Sequence, residues 1–167
     1  ELDLELKRKF PKLSFVTVIG DVRNEDRMTM VFNRYRPDVV YHAAAYKHVP
    51  MMEKNPCEAI MTNVFGTQTL VDKSIKYGVQ MFVMISTDKA VNPTNVMGAS
   101  KRLAEIYVQA CALREEKQGN KIKFVTTRFG NVLGSNGSVI PLFRRQIEAG
   151  GPLTVTDPEI TRYFMTI

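Results

Sequence analysis

The sequence predicts an α/β fold, in which a doubly wound parallel sheet is covered by helices. Apolar runs of strand length alternate with segments of helical periodicity, and the connections between them are short. Small or polar residues follow several of the predicted strands, where open α/β sheets bind their ligands. The 167 residues are enough for one domain with a hydrophobic core.

The first half of the chain predicts two strands, each preceded by a helix. Residues 2–9 form a charged segment of helical character, and 15–19 are an apolar run that ends at a Gly-Asp pair. Residues 25–35 place Met, Val and Phe at helical spacing. The short apolar run at 39–42 is a second strand, and three alanines follow it.

The second half continues the alternation. Residues 56–77 read as one long amphipathic helix, and 80–85 have the length and composition of a buried parallel strand. The elements predicted after them are a helix at 96–116, a strand at 122–127, a loop at 130–137 and a helix at 139–149.

Composition excludes several classes of protein. The net charge of +6 comes from scattered Lys and Arg without interleaved aromatics, which favours a phosphate-bearing small molecule over nucleic acid. Cys57 and Cys111 lack the spacing of metal ligands, so we expect no metal site and a reducing compartment. No apolar run approaches the roughly 20 residues that span a bilayer. We expect a cytoplasmic domain, with any membrane anchor in segments outside this chain.

The stretch from Ser86 to Lys101 has the richest chemistry. It follows the buried strand at 80–85, so Thr87, Asp88 and Lys89 should stand at the carboxyl edge of the sheet. Pro93 then interrupts the chain before the helix that carries Lys101. Taken alone, these residues also fit a polar loop with a solvated Lys-Asp pair.

Other strand ends carry similar marks. Asp21 follows one strand, Ala43 follows the next, and Asn131 follows the last long strand. Asn63 and Gly66 lie inside a predicted helix although both are poor helix formers, which indicates a local requirement or a helix bend. Several such strand ends together favour a ligand site.

These segments resemble the extended short-chain dehydrogenase/reductase superfamily, which has a Rossmann-like fold. The resemblance is narrower to the UDP-N-acetylglucosamine 4,6-dehydratases of polysaccharide biosynthesis, and it covers essentially the whole chain. It rests on Gly20-Asp21-Val22, His42-Ala43-Ala44-Ala45, Asn63-Val64-Phe65-Gly66-Thr67, Ser86 to Lys101 and Arg128 to Phe143.

The resemblance implies a reaction in which NAD or NADP, tightly bound and recycled, oxidises C4 of a UDP-sugar before water is eliminated across C5 and C6. Asp88 would protonate the C6 oxygen, and neutral Lys89 would take the C5 proton. Thr87 would hydrogen-bond the C4 oxygen, and Lys101 would hold the nicotinamide ribose. Met97 stands where the superfamily has its tyrosine, and a thioether cannot move a proton. Either Asp88 or a water would replace the tyrosine, or the redox step has been lost.

Binding residues follow from the same resemblance, and Arg162 among them fits a plain surface arginine equally well. The implied cofactor contacts are Asp21, Val22, Ala43, Lys47, Asn63, Lys101 and Val132. The implied substrate contacts are Lys89, Asn131, Pro141, Leu142, Phe143 and Arg162.

The family's glycine-rich turn does not occur in these residues. We therefore expect 1–167 to be part of an NAD(P)-binding domain whose first βαβ unit lies upstream, with the substrate-binding region beginning at about 131. Such a piece should bind NAD(P) weakly, expose an apolar sheet edge and form homo-oligomers. The alternatives are a UDP-sugar epimerase on the same scaffold and a non-catalytic binding module.

Overall fold

The computed structural model describes residues 2–134, 139–155, 158–159, 161 and 163–166. Helices and parallel strands alternate along most of this length, which confirms the predicted α/β fold. The helices are α1 (Leu2–Lys9), α2 (Glu25–Tyr35), α3 (Val49–Lys54), α4 (Pro56–Ala59), α5 (Gly66–Lys76), α6 (Val96–Lys117) and α7 (Val139–Glu148). The strands are β1 (Val39–His42), β2 (Met81–Thr87), β3 (Lys123–Phe129), β4 (Asn131–Val132) and β5 (Phe164–Met165).

The main sheet has three parallel strands in the order β1-β2-β3. Val40 pairs with Phe82, and Phe82 pairs with Phe124, so the strands run in register from the same end. Helices α3 to α5 connect β1 to β2, and α6 connects β2 to β3. Because all three strands are parallel, their carboxyl ends meet at one edge of the sheet.

The core forms around β2, which has a strand on either side. Phe82 and Met84 of this strand are completely buried. Helix α5 contributes Val71, α6 contributes Val108 and α2 contributes Phe32 to the same cluster. Burial of such side chains is worth about 1.5–3 kcal/mol each. The helix packing therefore fixes the end of β2 firmly.

The predicted strand at 15–19 was wrong. These residues belong to neither sheet, and Val16 and Ile19 are 65% and 89% exposed. The Ile19 carbonyl accepts a hydrogen bond from the Arg27 side chain (2.9 Å) rather than from a neighbouring strand. An apolar run becomes a strand only where another strand takes up its backbone hydrogen bonds. The described residues provide no such neighbour.

The single helix predicted at 56–77 is divided. Between α4 and α5 lies a π segment (Ile60–Phe65), in which the helical turn is wider. Gly66 follows it, and an added Cβ there would lie 2.7 Å from a methyl group of Val22, so a larger residue would force the Val22 side chain to shift. The Asn63 and Gly66 anomalies in the sequence therefore mark this change of helical geometry. Helix α3 was not predicted.

The remaining elements agree with the sequence apart from their ends. Strands β2 and β3 each run two residues further than predicted, and residues 88–90 form a 3₁₀ turn after β2. The predicted loop after β3 contains β4, which pairs in parallel with β5 in a second small sheet. Residues 135–138 of that loop lie outside the described residues. None of the helices in the described part of the chain is both long and apolar enough to cross a membrane.

Candidate functional site

A cavity of about 510 Å³ opens at the carboxyl edge of the main sheet. It gathers eight of the predicted site residues from the loop after β1, the end of β2, helix α6 and strand β4. They are Ala43, Lys47, Thr87, Lys89, Met97, Lys101, Asn131 and Val132. The other lining residues are Ala45, Tyr46, His48, Ile85, Ser86, Phe129 and Gly130.

Thr87, Asp88 and Lys89 form a connected group where β2 passes into the 3₁₀ turn. The Thr87 hydroxyl donates to Asp88 Oδ1 (2.9 Å), and Lys89 Nζ donates to the same oxygen (3.0 Å). Lys89 Nζ also donates to Asn131 Oδ1 (3.2 Å). The Lys89 side chain is only 25% exposed and that of Asp88 29%, so the pair is more than a solvated surface contact.

The Asp88 carboxyl group is held in its ionised form. Its partial burial opposes ionisation, but hydrogen bonds from Lys89 and Thr87 together lower the pKa of Asp88 below its ordinary value. At neutral pH the group therefore accepts a proton before it can donate one. An acidic function of Asp88 requires that a proton reach it first.

Helix α6 approaches the 3₁₀ turn very closely. Its amino end is capped by Asn95, whose side chain accepts a hydrogen bond from the Gly98 N–H (2.8 Å). A Cβ added at Gly98 would overlap the carbonyl oxygen of Lys89, which is backbone and cannot swing away. The absence of a side chain at Gly98 thus sets the distance between α6 and the turn that carries Lys89.

We expect Gly98→Ala to destabilise the protein by about 1–3 kcal/mol, the typical cost of an overpacked position. Helix propensity alone predicts the opposite sign, because alanine is favoured over glycine inside a helix by roughly 1 kcal/mol. Urea unfolding measures the difference. The neighbouring exposed Ala99 offers a matched control, since Ala99→Gly reports propensity in the same turn. A Gly98→Ala protein more stable than the parent would contradict the close contact.

Lys101 lies in the cavity wall with only 5% of its surface exposed. Burial lowers its pKa to about 8, although the nearby Glu105 acts in the opposite direction. The Ile85 carbonyl accepts one hydrogen bond from Lys101 Nζ (2.7 Å). An ammonium has three donors, so this group can also donate to a ligand hydroxyl in the cavity.

A buried carboxylate behind the cavity was missed in the sequence. Glu105 is completely buried in α6 and accepts two hydrogen bonds from Arg128 at the end of β3 (2.9 and 2.7 Å) and one from Arg102 (3.0 Å). Burial opposes its ionisation, but Arg128, Ser86 and Arg102 outweigh burial and lower its pKa to about 2. Its position four residues after Lys101, on the same helix face, was the available signal.

Asn63 in the π segment fastens the loop after β1 to α6. Its side chain is fully buried, accepts from the Tyr46 N–H (2.8 Å) and donates to the Tyr46 carbonyl (3.1 Å) and to Ser100 Oγ (2.9 Å). The predicted cofactor contact of Asn63 is therefore not a direct cavity position. The residue instead fixes the backbone of Tyr46, which lines the cavity.

His42 at the end of β1 is buried and neutral. Thr67 Oγ1 donates its single proton to the Asn63 carbonyl (2.6 Å), so it must accept from His42 Nε2 (2.8 Å). Burial, assisted by the nearby Lys101 charge, lowers the pKa of His42 to about 4. Among the described residues, Nδ1 has no hydrogen-bond partner.

The burial of His42 predicts a loss of stability in mild acid. The unfolded chain binds a proton near the ordinary histidine pKa of 6.5, whereas the folded chain binds it only near pH 4. The free energy of unfolding should therefore fall by up to about 3 kcal/mol as pH decreases through this window. Denaturant titrations at pH 7 and 5 test this. The decrease in the free energy of unfolding between pH 7 and 5 should persist in His48→Gln, which removes the exposed histidine. It should disappear in His42→Gln. A parent protein whose free energy of unfolding is the same at both pH values would contradict this prediction.

Five further predicted site residues in the described part of the chain do not line the cavity, and their contacts stay predictions. Asp21 is paired with Arg23 (2.7 Å), and the Val22 side chain packs near Gly66. Three others lie on α7, which buries none of its side chains completely: Pro141, Leu142 and Phe143. Arg162 lies outside the described residues.

Comparison with curated proteins finds relatives named for polysaccharide biosynthesis and for reactions of UDP-sugars. The capsular polysaccharide biosynthesis protein CapD of Staphylococcus aureus is 59% identical over 93% of this chain. A UDP-glucose 4-epimerase of Rickettsia canadensis is 45% identical over 99%, and an inverting UDP-N-acetylglucosamine 4,6-dehydratase of Campylobacter jejuni is 42% identical over 89%. The chain spans 25%, 47% and 44% of these three proteins, respectively.

Solved structures agree with this grouping. Pen from Bacillus thuringiensis superimposes with a TM-score of 0.87 at 39% identity, over 98% of this chain and 49% of that one. A double mutant of the dTDP-glucose 4,6-dehydratase DesIV from Streptomyces venezuelae, with NAD bound, gives 0.78 at 25% identity, over 99% and 54%. The model of the family described as "Polysaccharide biosynthesis protein" matches residues 1–167. The chain belongs to this family, within the extended short-chain dehydrogenase/reductase superfamily.

Proposed function

We propose that the full-length protein carrying this chain is an NAD- or NADP-dependent UDP-N-acetylglucosamine 4,6-dehydratase that acts in surface polysaccharide or glycan biosynthesis. One observation carries the proposal: Thr87, Lys89 and Lys101 line one cavity, and the Asp88 carboxylate directly behind it accepts hydrogen bonds from both Thr87 and Lys89. The relatives named above support this class of reaction. The activity is proposed for the full-length protein because the chain spans less than half of those relatives.

The cavity suits a nicotinamide nucleotide. Ala43 and Ala45 leave one wall without bulky side chains, so a flat ring can approach the sheet edge. Lys101 is a buried cation with donors to spare for ribose hydroxyls. In the proposed complex Lys101 holds the ribose, and Lys47 and Val132 line the remaining length. When bound there, the cofactor would supply the hydride chemistry, oxidation at C4 and reduction at C6.

Asp88 carries two successive proton transfers in this proposal. As an ionised carboxylate it accepts the proton of the C4 hydroxyl, while Thr87 hydrogen-bonds the C4 oxygen. The now protonated Asp88 then donates to the C6 hydroxyl, which leaves as water. Met97 lacks a transferable proton, so this assignment gives the C4 proton an acceptor.

Lys89 takes the C5 proton, and for this it must be a neutral amine. It lies beside the Asp88 carboxylate, and Lys47 and Lys101 line the same cavity. After elimination, Lys89 returns the proton to C5 and is again the neutral amine, while Asp88, having given its proton to the leaving water, is again a carboxylate.

A second candidate is a UDP-sugar 4-epimerase, which the relative from Rickettsia canadensis supports at 45% identity. The full-length protein incubated with UDP-N-acetylglucosamine in D₂O separates the candidates by mass spectrometry and NMR. We expect a 4-keto-6-deoxy sugar with deuterium at C5. Inversion at C4 without loss of water would identify an epimerase, and tight binding without turnover would identify a non-catalytic module.

The chain's place in the full-length protein is also a proposal. Residues up to about 130 form part of the NAD(P)-binding domain, and those from 131 begin the substrate-binding region. Asn131, Pro141, Leu142, Phe143 and Arg162 are the proposed substrate contacts there. We propose a cytoplasmic location for this domain and a homo-oligomeric assembly.

A further inference from the structure

Lys89 has a second partner that the proposed reaction does not use. Its Nζ donates to Asn131 Oδ1 (3.2 Å), from a strand that follows β3 rather than β2. In this hydrogen bond Nζ is the donor, so the amide oxygen of Asn131 faces Lys89 and its NH₂ group points elsewhere. The other charged or titratable groups around Lys89 are Asp88 on its own turn, Lys101 on α6, and Lys47 and His48 after β1.

Both sides of this contact are fixed by backbone. The Asn131 N–H donates to the Tyr163 carbonyl (2.9 Å) in the ladder between β4 and β5. At Gly130 an added Cβ would lie 2.9 Å from the same carbonyl oxygen, so the backbone at Gly130 and the backbone at Tyr163 are in close contact. On the other side, Gly98 packs against the carbonyl of Lys89. The small sheet and α6 thus hold the two ends of one hydrogen bond.

We propose that Asn131 is a positioning residue for Lys89, in addition to its proposed contact with the substrate diphosphate. Its oxygen holds the Lys89 nitrogen, and its NH₂ group is a donor suited to a phosphate oxygen. One amide can therefore contact Lys89 and the diphosphate at the same time. Binding of the sugar nucleotide then orients Lys89 through the Asn131 side chain. This role extends the proposed function, but its first test does not depend on activity.

The first test measures how readily the Lys89 amine reacts with acetic anhydride in the full-length protein at one fixed pH. Peptide mass spectrometry gives the acetylation rate of each lysine. We expect Asn131→Ala to raise the rate at Lys89 by about three- to tenfold, because a hydrogen bond that restrains the amine is lost. Asn131→Asp keeps an acceptor oxygen and adds charge, so Lys89 should react no faster than in the parent.

Two controls accompany this measurement. Asn33→Ala, at an exposed position of α2, should leave the Lys89 rate unchanged. Lys73 is 7% exposed and bound to Glu25, so its slow acetylation reports that each variant remains folded. Equal Lys89 rates in the parent and in a folded Asn131→Ala variant would overturn the proposal. Faster acetylation of Lys89 in Asn131→Asp would overturn it as well.

The second test uses catalysis. A residue that only binds the diphosphate affects KM and leaves kcat unchanged, whereas a positioning residue also lowers kcat. We expect Asn131→Ala to lower kcat for dehydration by about tenfold or more. An increase in KM alone would overturn the positioning role. If the parent protein catalyses no dehydration, the proposed function fails, while the acetylation rates still decide whether Asn131 restrains Lys89.

Discussion

Replacement of Lys89 by alanine in the full-length protein is expected to slow dehydration by about 10²–10⁴-fold, the usual cost of losing a general base. Among the side chains of the cavity, Lys89 alone combines a place beside Asp88 with an amine that can take the C5 proton. Lys89 belongs to neither cluster of buried apolar side chains, so the substitution should leave the core intact. The sugar nucleotide should therefore still bind.

Three measurements check this expectation. Steady-state assays give the loss of dehydration, calorimetric titration gives the affinity for UDP-N-acetylglucosamine, and NMR in D₂O follows exchange at C5. Lys117→Ala, which removes an exposed lysine near the far end of α6, should behave as the parent protein does. If exchange at C5 continues at the parent rate in Lys89→Ala, another group takes that proton and the assignment fails.

The largest expected effect on stability is that of Glu105→Ala. Arg128 and Arg102 lose the carboxylate that accepts their hydrogen bonds, and the missing side chain leaves a buried cavity beside α6. Breaking a buried ion pair typically costs 3–5 kcal/mol. The Arg128 and Arg102 side chains are 38% and 36% exposed, so water recovers part of this loss. We therefore expect a decrease of about 3 kcal/mol in the free energy of unfolding, at the lower end of that range.

Urea titration at pH 7 measures this decrease. Glu116→Ala, eleven residues further along α6 at an exposed position, is the matched control and should change stability little. The double variant Glu105→Met, Arg128→Leu should recover much of the loss, because an apolar pair needs no counter-charge. An unfolding midpoint for Glu105→Ala equal to that of the parent would contradict the role of the network.

Glu105 also predicts a second acid window, separate from that of His42. Its pKa is about 2 in the folded chain and 4.5 in the ordinary reference state. The stability that the ionised Glu105 carboxylate contributes is therefore complete above pH 4.5 and is lost as pH falls toward 2. Glu105→Gln should lose this dependence below pH 4.5 and keep the dependence between pH 6.5 and 4.5 that His42 causes. The same urea titrations at pH 5, 4 and 3 separate the two.

Much of the fold could be predicted from local pattern. The apolar runs at β1, β2 and β3 have neighbouring strands in the sheet, so the strands predicted from their composition are present in the structure. Residues 15–19 have the same composition without a neighbour, and pattern cannot distinguish the two cases. The π segment was only partly visible. Asn63 and Gly66 indicated a disturbance, but its form depends on contacts with Tyr46 and Val22, which lie distant in sequence.

The candidate site was predictable for a topological reason. Residues at the carboxyl ends of parallel strands share one edge, so Thr87, Lys89 and Asn131 could be expected to meet before any distance was known. What sequence could not provide is which of them contact one another. The Lys89–Asn131 hydrogen bond and the close approach of Gly98 arise from the packing of α6 and β4. No local periodicity encodes either.

The π segment also governs the phase of the helices on either side of it. A π turn contains one residue more than an α turn, so the residues before it are rotated by about 100° relative to those after it. Deletion of any one residue from 60–65 would restore a continuous α-helix and change which residues face inward. Asn63 and Thr67 could then no longer both keep their partners in the loop after β1 and in β1 itself. In this part of the chain, a change in length is therefore more damaging than most changes in composition.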